Sequence, residues 1–258
     1  MIHETAIVHP TAEVADGVEI GPYSIIREKV KIGKGTTIGS HCVIDKWTVI
    51  GKGCQIYDHV SLGAPPQHLR YKGEETSVVI GDNDIIREFA TIHRGTPFGN
   101  VNTVIGNENF IMAYAHIAHD CTLGNRIIMS GYAGLAGHVE IGDHAIIGGI
   151  VAIHQFVRIG TFAFVGGATA LTRDIPPYVT ASGMKVKFYG INVLNLQRNG
   201  VPEEAITGLR RAYKLLFRSH LTMEEAIKKV REDPIFALAE VQHMLDFIQG
   251  SKRGITRR

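Results

Sequence analysis

Aliphatic side chains recur at every sixth position along most of the chain. A period of six does not keep residues on one face of a helix of roughly 3.6 residues per turn, so the pattern excludes a long amphipathic helix. It predicts short strands joined by corners, with one aliphatic side chain of each strand pointing inward. The positions that carry the pattern are Val8, Val14, Ile20, Ile26, Ile32, Ile38, Ile44, Ile50, Ile56 and Leu62, then Ile80, Ile86 and Ile92, and finally Ile105, Ile111, Ile117, Leu123, Met129, Leu135, Ile141, Ile147, Ile153, Ile159, Val165 and Leu171.

Glycine often follows the aliphatic residue directly. Gly, Asn and Asp accept backbone dihedrals that other residues avoid, so we expect them to provide the corner conformations. Successive rungs of such a coil lie about 4.8 Å apart. The glycines at this phase of the repeat are Gly21, Gly33, Gly39, Gly51, Gly81, Gly106, Gly124 and Gly142.

Two segments interrupt the repeat, and a third region lacks it. The interruptions are residues 63–77 and 94–102, and long excursions from a regular scaffold are usually functional or lid-like. The repeat ends near Asp174, and from about residue 190 the pattern becomes helical, with a capping box formed by Thr222 and Glu225. We therefore expect a β-domain over residues 1–187 and a small helical domain over 188–258.

The repeat resembles that of the hexapeptide-repeat acyltransferases. That resemblance implies a mainly β fold, namely a left-handed parallel β-helix with three hexads per coil, followed here by the C-terminal α-helical domain. It also implies a homotrimer with active sites between subunits.

Three hexads per coil place residues 18 apart directly above one another. This arithmetic brings polar residues of three successive rungs onto one face. Gly137 falls above His119 and Gly134 above His116, so neither histidine is covered and a slot is left open. The polar residues of this face are His116, His119, Asp120, His138, His154 and Gln155.

Histidine is also the commonest metal ligand, and metal-dependent carbonic anhydrases use this kind of scaffold. A carbonic anhydrase-like metalloprotein and a non-catalytic trimeric scaffold are therefore alternatives. No supporting carboxylate cluster or pattern of supporting ligands is evident in the sequence, so we expect no metal and no other cofactor.

A closer resemblance rests on the motifs HIAHD, LAGH, HQF, TIHRG and PQHLRYKGE together with the helical tail. They resemble the UDP-N-acetylglucosamine O-acyltransferases of lipid A biosynthesis over essentially the whole chain. The resemblance implies transfer of a long 3-hydroxyacyl group from acyl carrier protein to the 3-hydroxyl of UDP-N-acetylglucosamine. It makes His119 the general base, Asp120 the group that orients it, and the Gly137 N–H the donor to the developing oxyanion.

The same resemblance assigns residues to substrate binding. Gln67 and Arg70 come from the first interruption, and Asn192 and Arg198 from the helical region, while His116, His138, His154 and Gln155 surround the sugar and acyl groups. The chain departs from the family at three positions: Arg70 replaces the usual lysine, His68 replaces aspartate, and Leu194 stands where some members have glutamate.

One column of corners carries only small residues. Ala113, Gly131, Gly149 and Gly167 follow one another at a spacing of 18, where other corners carry polar or charged side chains. The missing side chains predict a lane of roughly 14 Å, from three steps of about 4.8 Å, which suits an extended acyl chain. The family measures acyl length near the position of Gly167, which implies a long donor with Gly167 at the end of the lane.

Composition and charge indicate the class of binding partner and the cellular compartment. The chain has 258 residues and a formal net charge of +2, which gives no strong field to select nucleic acid. Its three cysteines show no metal spacing, the N-terminus has no signal pattern, and no apolar run reaches about 18 residues, so we expect a cytoplasmic protein without a membrane span. A basic run, Arg210, Arg211, Lys214 and Arg218, is a candidate contact for acidic acyl carrier protein.

N-acylation of an amino-sugar nucleotide is the main alternative activity. The sister family that performs it typically adds an N-terminal uridine-binding domain, whereas the repeats of this chain begin by Val8. The residues themselves leave the choice between ester and amide open.

Overall fold

A computed structural model describes residues 1–256 as a three-faced parallel β-helix followed by a helical region. Each coil contributes one short strand to each face. The first face contains β1 (Ile7–Val8), β4 (Ile25–Ile26), β7 (Val43–Ile44), β10 (Ser61–Ala64), β13 (Thr91–His93), β16 (His116–Ile117), β19 (Gly134–Leu135), β22 (Ala152–Ile153) and β25 (Ala170–Leu171).

The other two faces follow the same order. The second face contains β2 (Glu13–Val14), β5 (Lys31–Ile32), β8 (Thr48–Ile50), β11 (Ser77–Ile80), β14 (Asn102–Ile105), β17 (Thr122–Leu123), β20 (Glu140–Ile141) and β23 (Arg158–Ile159). The third contains β3 (Glu19–Ile20), β6 (Thr37–Ile38), β9 (Gln55–Ile56), β12 (Ile85–Ile86), β15 (Phe110–Ile111), β18 (Ile128–Met129), β21 (Ile146–Ile147), β24 (Phe164–Val165), β26 (Val179–Ser182) and the antiparallel β27 (Lys187–Ile191).

The strand register confirms the stacking arithmetic. Ile117 pairs with Leu135, and Leu135 pairs with Ile153. These aliphatic side chains are buried in one column, and each contributes roughly 1.5–3 kcal/mol by leaving water. The two interruptions lengthen the step between neighbouring rungs without breaking the register, because Leu62 still pairs with Ile92 and Ile92 with Ile117.

The expected reason for the corner glycines is wrong. The left-handed corner position is occupied mainly by other residues, such as Tyr114 with φ 60° and His138 with φ 62°. The glycines that follow the aliphatic residue have ordinary φ values. A Cβ at Gly81 would lie 2.5 Å from Asn107 Oδ1, so glycine is needed there because the next rung passes too close for a side chain.

Side-chain oxygens occupy the space that these glycines leave. At the corner between the second and third faces, Asn125 Oδ1 accepts the Asn107 N–H at 2.9 Å, and Asp143 Oδ1 accepts the Asn125 N–H at 2.7 Å. Each rung therefore satisfies a corner N–H of the rung before it, and the missing Cβ and the ladder of polar side chains form one arrangement.

Within residues 1–256, four α-helices follow the β-helix: α1 (Val193–Arg198), α2 (Glu203–Tyr213), α3 (Met223–Glu232) and α4 (Ala239–Gln249). A π-helical turn, Lys214–Arg218, extends α2, and a 3-10 turn, Pro234–Ala237, precedes α4. The capping box of Thr222 and Glu225 is confirmed at the start of α3. The expected boundary after residue 187 falls inside β27, so the division into two domains remains a proposal.

Within residues 1–256, none of the helices combines the length and the apolar character that a membrane crossing needs.

Neighbouring rungs approach closely at some glycines and leave open space at others. We therefore expect Gly→Ala substitutions at these two kinds of position to differ in their effect on the free energy of unfolding. In Gly106→Ala the new Cβ would come 2.7 Å from Asn125 Oδ1, and we expect the variant to lose about 1–3 kcal/mol of unfolding free energy through overpacking. Gly134→Ala is the matched control, because its Cβ would meet no atom within 4 Å. Urea unfolding monitored by circular dichroism makes the comparison, and equal midpoints for the two variants would contradict it.

Candidate active site

A cleft of about 580 Å³ lies along the first face, over β16, β19, β22 and β25. The strands place their outward residues along its floor, and the corners that follow them supply its edge. The polar and backbone groups that line it include Gln67, His116, His119, Gly137, His154 and Thr172. The structure thus brings three of the four predicted histidines into one cavity.

His119 and Asp120 occupy the corner that follows β16. His119 Nδ1 lies 2.7 Å from Asp120 Oδ2. Because a carboxylate only accepts hydrogen bonds, Nδ1 carries the proton and Nε2 keeps its lone pair. A neutral imidazole held in this tautomer is arranged to accept a proton at Nε2.

Asp120 is buried and accepts hydrogen bonds from the second interruption, residues 94–102. The Thr96 N–H and hydroxyl donate to it at 2.9 and 2.7 Å, and the Asn100 N–H donates at 2.9 Å. Burial alone would raise the pKa of this carboxyl, but the donors from His119 and Thr96 outweigh burial and hold the pKa below its usual range. Asp120 therefore stays ionised beside His119.

The second interruption packs around Asp120 and does not line the cleft. Its Gly99 packs so closely that a Cβ would lie 2.5 Å from Asp120 Cγ. Sequence reasoning missed Thr96 and Asn100. The only available signal was that the repeat is interrupted one coil before the HIAHD motif.

Gly137 lies one rung above His119, as predicted. A Cβ at this position would lie 2.5 Å from His119 Cε1, so only glycine leaves the imidazole in place. At the second-to-third corner the equivalent N–H donates to a side chain of the next rung, as in Asn107. Across residues 1–256 the Gly137 N–H has no acceptor, and it remains available as a donor at the cleft.

His116 lies on β16 and points outward into the cleft. Its Nδ1 is 2.7 Å from Thr91 Oγ1, and burial lowers the pKa of His116. Beneath it, burial together with the neighbouring His116 and His119 lowers the pKa of His93 to about 4. Both rings are therefore neutral at physiological pH.

His138 lies behind the cleft edge rather than on its lining. Its ring stacks on Phe156 with centroids 4.5 Å apart and meets His119 edge-on at 5.3 Å. One ligand atom each from His119, Asp120 and His138 lie within 4.8 Å of one another, which is close enough for a metal ion. However, Asp120 already accepts hydrogen bonds from three different residues, so an ion would have to displace them; the absence of a metal stays a prediction.

The first interruption brings Gln67 to the cleft. Arg70, from the same segment, is exposed, and its guanidinium lies 4.4 Å from the Phe98 ring centroid. Arg94, which the sequence did not single out, anchors this segment. It is buried, and donates to Gly63 O at 2.8 Å and to the Tyr71 hydroxyl at 2.9 Å.

The remaining predicted residues lie outside the cleft of their own chain. Gln155 is exposed beyond His154, and Arg198 is exposed at the end of α1. Asn192 precedes α1 and donates through Nδ2 to Phe162 O at 2.9 Å. Gly167 stacks on Gly149 at the opposite corner of the first face.

The basic run on α2 and its π-helical extension is partly engaged in contacts within the chain. Arg211 lies 2.7 Å from Asp233, Arg210 lies 3.8 Å from Glu203, and Arg218 donates to Phe188 O at 2.7 Å. A role for this surface in binding an acidic partner stays a prediction.

Two protein families match this chain, one within the β-helix and one over the helical region. Residues 102–137 match the bacterial transferase hexapeptide family (six repeats), and residues 174–256 match domain 2 of Udp N-acetylglucosamine O-acyltransferase. Two solved UDP-N-acetylglucosamine acyltransferases are similar over nearly their full length. That from Bacteroides fragilis has a TM-score of 0.96 at 38% identity, covering 100% of both chains, and that from Francisella novicida has 0.95 at 41%, covering 100% and 94%. This likeness confirms the left-handed parallel β-helix.

Curated relatives are more similar still. The acyl-[acyl-carrier-protein]–UDP-N-acetylglucosamine O-acyltransferase of Trichlorobacter lovleyi is 60% identical over 259 residues, covering 99% of this chain and 99% of the relative. The protein of the same name from Aquifex aeolicus is 59% identical over 256 residues, covering 99% and 98%. The chain, with its hexapeptide-repeat β-helix and its matching helical region, belongs to the UDP-N-acetylglucosamine O-acyltransferase family.

Proposed function

We propose that this enzyme transfers a long 3-hydroxyacyl group from acyl carrier protein to the 3-hydroxyl of UDP-N-acetylglucosamine, the first step of lipid A biosynthesis. The observation that carries the proposal is the pair His119–Asp120, whose free Nε2 lines the same cleft as the unpaired Gly137 N–H. The names of the curated relatives favour an ester product over the alternative amide.

The geometry supports general-base catalysis without a covalent enzyme intermediate. His119 Nε2 removes the proton from the sugar hydroxyl as its oxygen attacks the thioester carbonyl. Negative charge develops on the carbonyl oxygen, where the Gly137 N–H donates to it. Collapse of the intermediate breaks the carbon–sulfur bond, and the proton held by His119 leaves with the thiolate. Asp120 stabilises the transient imidazolium, because the hydrogen bonds from His119 and Thr96 keep the pKa of Asp120 low and its carboxylate ionised.

The small-residue column supports the acyl site. Gly131, Gly149 and Gly167 all have ordinary φ values, so glycine is not needed there for an unusual backbone conformation. Together with Ala113 they line one edge of the first face as a lane without side chains beyond Cβ, and its three steps of about 4.8 Å, roughly 14 Å in all, suit a long extended acyl chain.

The exposed surface supports a homotrimer. A column of stacked rings runs beside the lane, and Tyr114 and Tyr132 remain 46% and 63% exposed with their centroids 4.7 Å apart. The outward residues of the third face next to it include Phe110, Ile128, Ile146 and Phe164. A neighbouring subunit would cover this apolar surface and close the open cleft. Asn192 and Arg198, which lie outside the cleft of their own chain, would then bind nucleotide across the interface.

A cytoplasmic location fits the proposed function. The three cysteines are free and buried, as expected for a protein of a reducing compartment.

The proposed mechanism uses only groups of the protein itself and its two substrates.

The base assignment predicts a large kinetic effect. His119→Ala should lower kcat by about 10²–10⁴-fold, the usual contribution of a positioned base, with the fold intact by circular dichroism. The test is mass spectrometry of the product made from a defined acyl carrier protein thioester and UDP-N-acetylglucosamine. His9→Ala serves as the control, because His9 is an exposed histidine at the beginning of the repeat, far from the cleft. Undiminished turnover in His119→Ala would refute the assignment.

The acyl lane predicts a change of donor preference. Gly167→Met fills the end of the lane, so the optimum acyl donor should become several carbons shorter, with Gly167→Ala intermediate. The measurement is kcat/KM across a ladder of 3-hydroxyacyl thioesters of acyl carrier protein. An unchanged optimum would mean that Gly167 does not limit acyl length.

The assembly is tested in solution. Analytical ultracentrifugation should show a species of three chains, and Tyr132→Glu should weaken it by placing a charge in the covered surface. A stable and fully active monomer would contradict the proposal.

A further inference from the structure

The end of the chain returns to the last rung of the β-helix. After α4, Ser251 Oγ donates to Asp174 Oδ2 at 2.6 Å, and the Asp174 N–H donates to Gly254 O at 3.0 Å. Asp174 also pairs with Ile255 in a parallel bridge. These contacts fix the residue between them, Arg253, against the C-terminal end of the cleft.

The Arg253 guanidinium reaches two residues that line the cleft. Its Nη2 donates to Thr172 O at 3.0 Å, and its Nε donates to the same oxygen at 3.3 Å. The same Nη2 lies 3.1 Å from His154 Nδ1, although the two residues are 99 positions apart. The carbonyl anchors the guanidinium, so its contact with the imidazole is defined by the fold.

His154 Nδ1 has a second neighbour with the opposite requirement. It also lies 3.1 Å from Gln155 O. A carbonyl oxygen only accepts and would call for a proton on Nδ1, whereas a guanidinium only donates and calls for a lone pair there. One nitrogen cannot satisfy both. The contact with the cation is the stronger, because hydrogen bonds from an ionised donor are roughly twice as strong as neutral ones.

We propose that Arg253 is a positioning residue that holds His154 in the tautomer protonated at Nε2. Within residues 1–256 that nitrogen has no hydrogen-bond partner, and the side chain lines the cleft. His154 then presents an N–H donor to an oxygen of the bound sugar nucleotide. The identity of that ligand rests on the proposed function; the tautomer does not.

Two histidines of one cleft are thereby held in opposite tautomers. His119 donates a hydrogen bond from its Nδ1–H to Asp120 and presents a lone pair at Nε2. His154 receives a hydrogen bond from Arg253 at Nδ1 and presents a proton at Nε2. A carboxylate partner makes an acceptor and a guanidinium partner makes a donor, so the two rings cannot exchange roles in binding and proton transfer.

The tautomer can be read directly in the substrate-free, full-length protein. Two-bond ¹H–¹⁵N correlation spectra at pH 8, with the His154 signals assigned by loss in His154→Gln, should show the Nε2–H form in the wild type. In Arg253→Met the Gln155 carbonyl is the remaining partner, so the ring should switch to the Nδ1–H form. Arg253→Lys retains a cationic donor and should restore the wild-type pattern. Lys252→Met, which removes the neighbouring exposed cation on the same tail, should leave it unchanged.

Kinetics supply the second readout. Arg253→Met should raise KM for UDP-N-acetylglucosamine about tenfold, the usual value of one hydrogen bond, with kcat little changed because the bond is made equally in ground and transition states. An Nδ1–H signal in the wild type, or the same tautomer in wild type and Arg253→Met, would overturn the proposal. If the wild type fails to acylate UDP-N-acetylglucosamine at all, the proposed function fails while the spectra still decide the role of Arg253.

Discussion

Parallel hydrogen bonding between rungs about 4.8 Å apart is the constraint on which the rest of this structure depends. It places each residue against the one a full coil later, as Ile117 against Leu135 and His116 against Gly134. It also leaves no room for a Cβ where the backbone of one rung passes over the corner of the next. The glycines that directly follow the aliphatic residues, such as Gly81 and Gly106, are explained by this close approach rather than by unusual dihedral angles.

The same constraint explains how a regular scaffold acquires a reactive cleft. Four consecutive corner N–H groups between the second and third faces donate to an Asn or Asp side chain of the next rung, namely those of Lys52, Asp82, Asn107 and Asn125. Gly137 lies at a different corner, between the first and second faces, where its N–H has no acceptor within residues 1–256 and the His119 imidazole below takes the space that a Cβ would need. The base and an unpaired donor thus lie in the same cavity.

Buried charge accounts for the irregular segments. Asp120 is taken out of water and is compensated by donors from residues 94–102, which fold around it. Arg94 is likewise buried and is satisfied by the carbonyl of Gly63 and the hydroxyl of Tyr71. Because an uncompensated buried charge is costly, these contacts hold the two interruptions in place.

The sequence by itself determined the β-helix, the stacking of residues 18 apart in the uninterrupted coils, and the placement of His116, His119 and Gly137 near one another, because a strict period makes neighbours in space predictable from spacing alone. It also indicated the capping box of α3. It did not determine why glycine is needed after the aliphatic residues, the hydrogen bonds from Thr96 and Asn100 to Asp120, the burial of Arg94, or the contact of Arg253 with His154. Those depend on segments without a period, whose paths are chosen by which buried polar groups need partners, and only the tertiary structure shows where such partners meet.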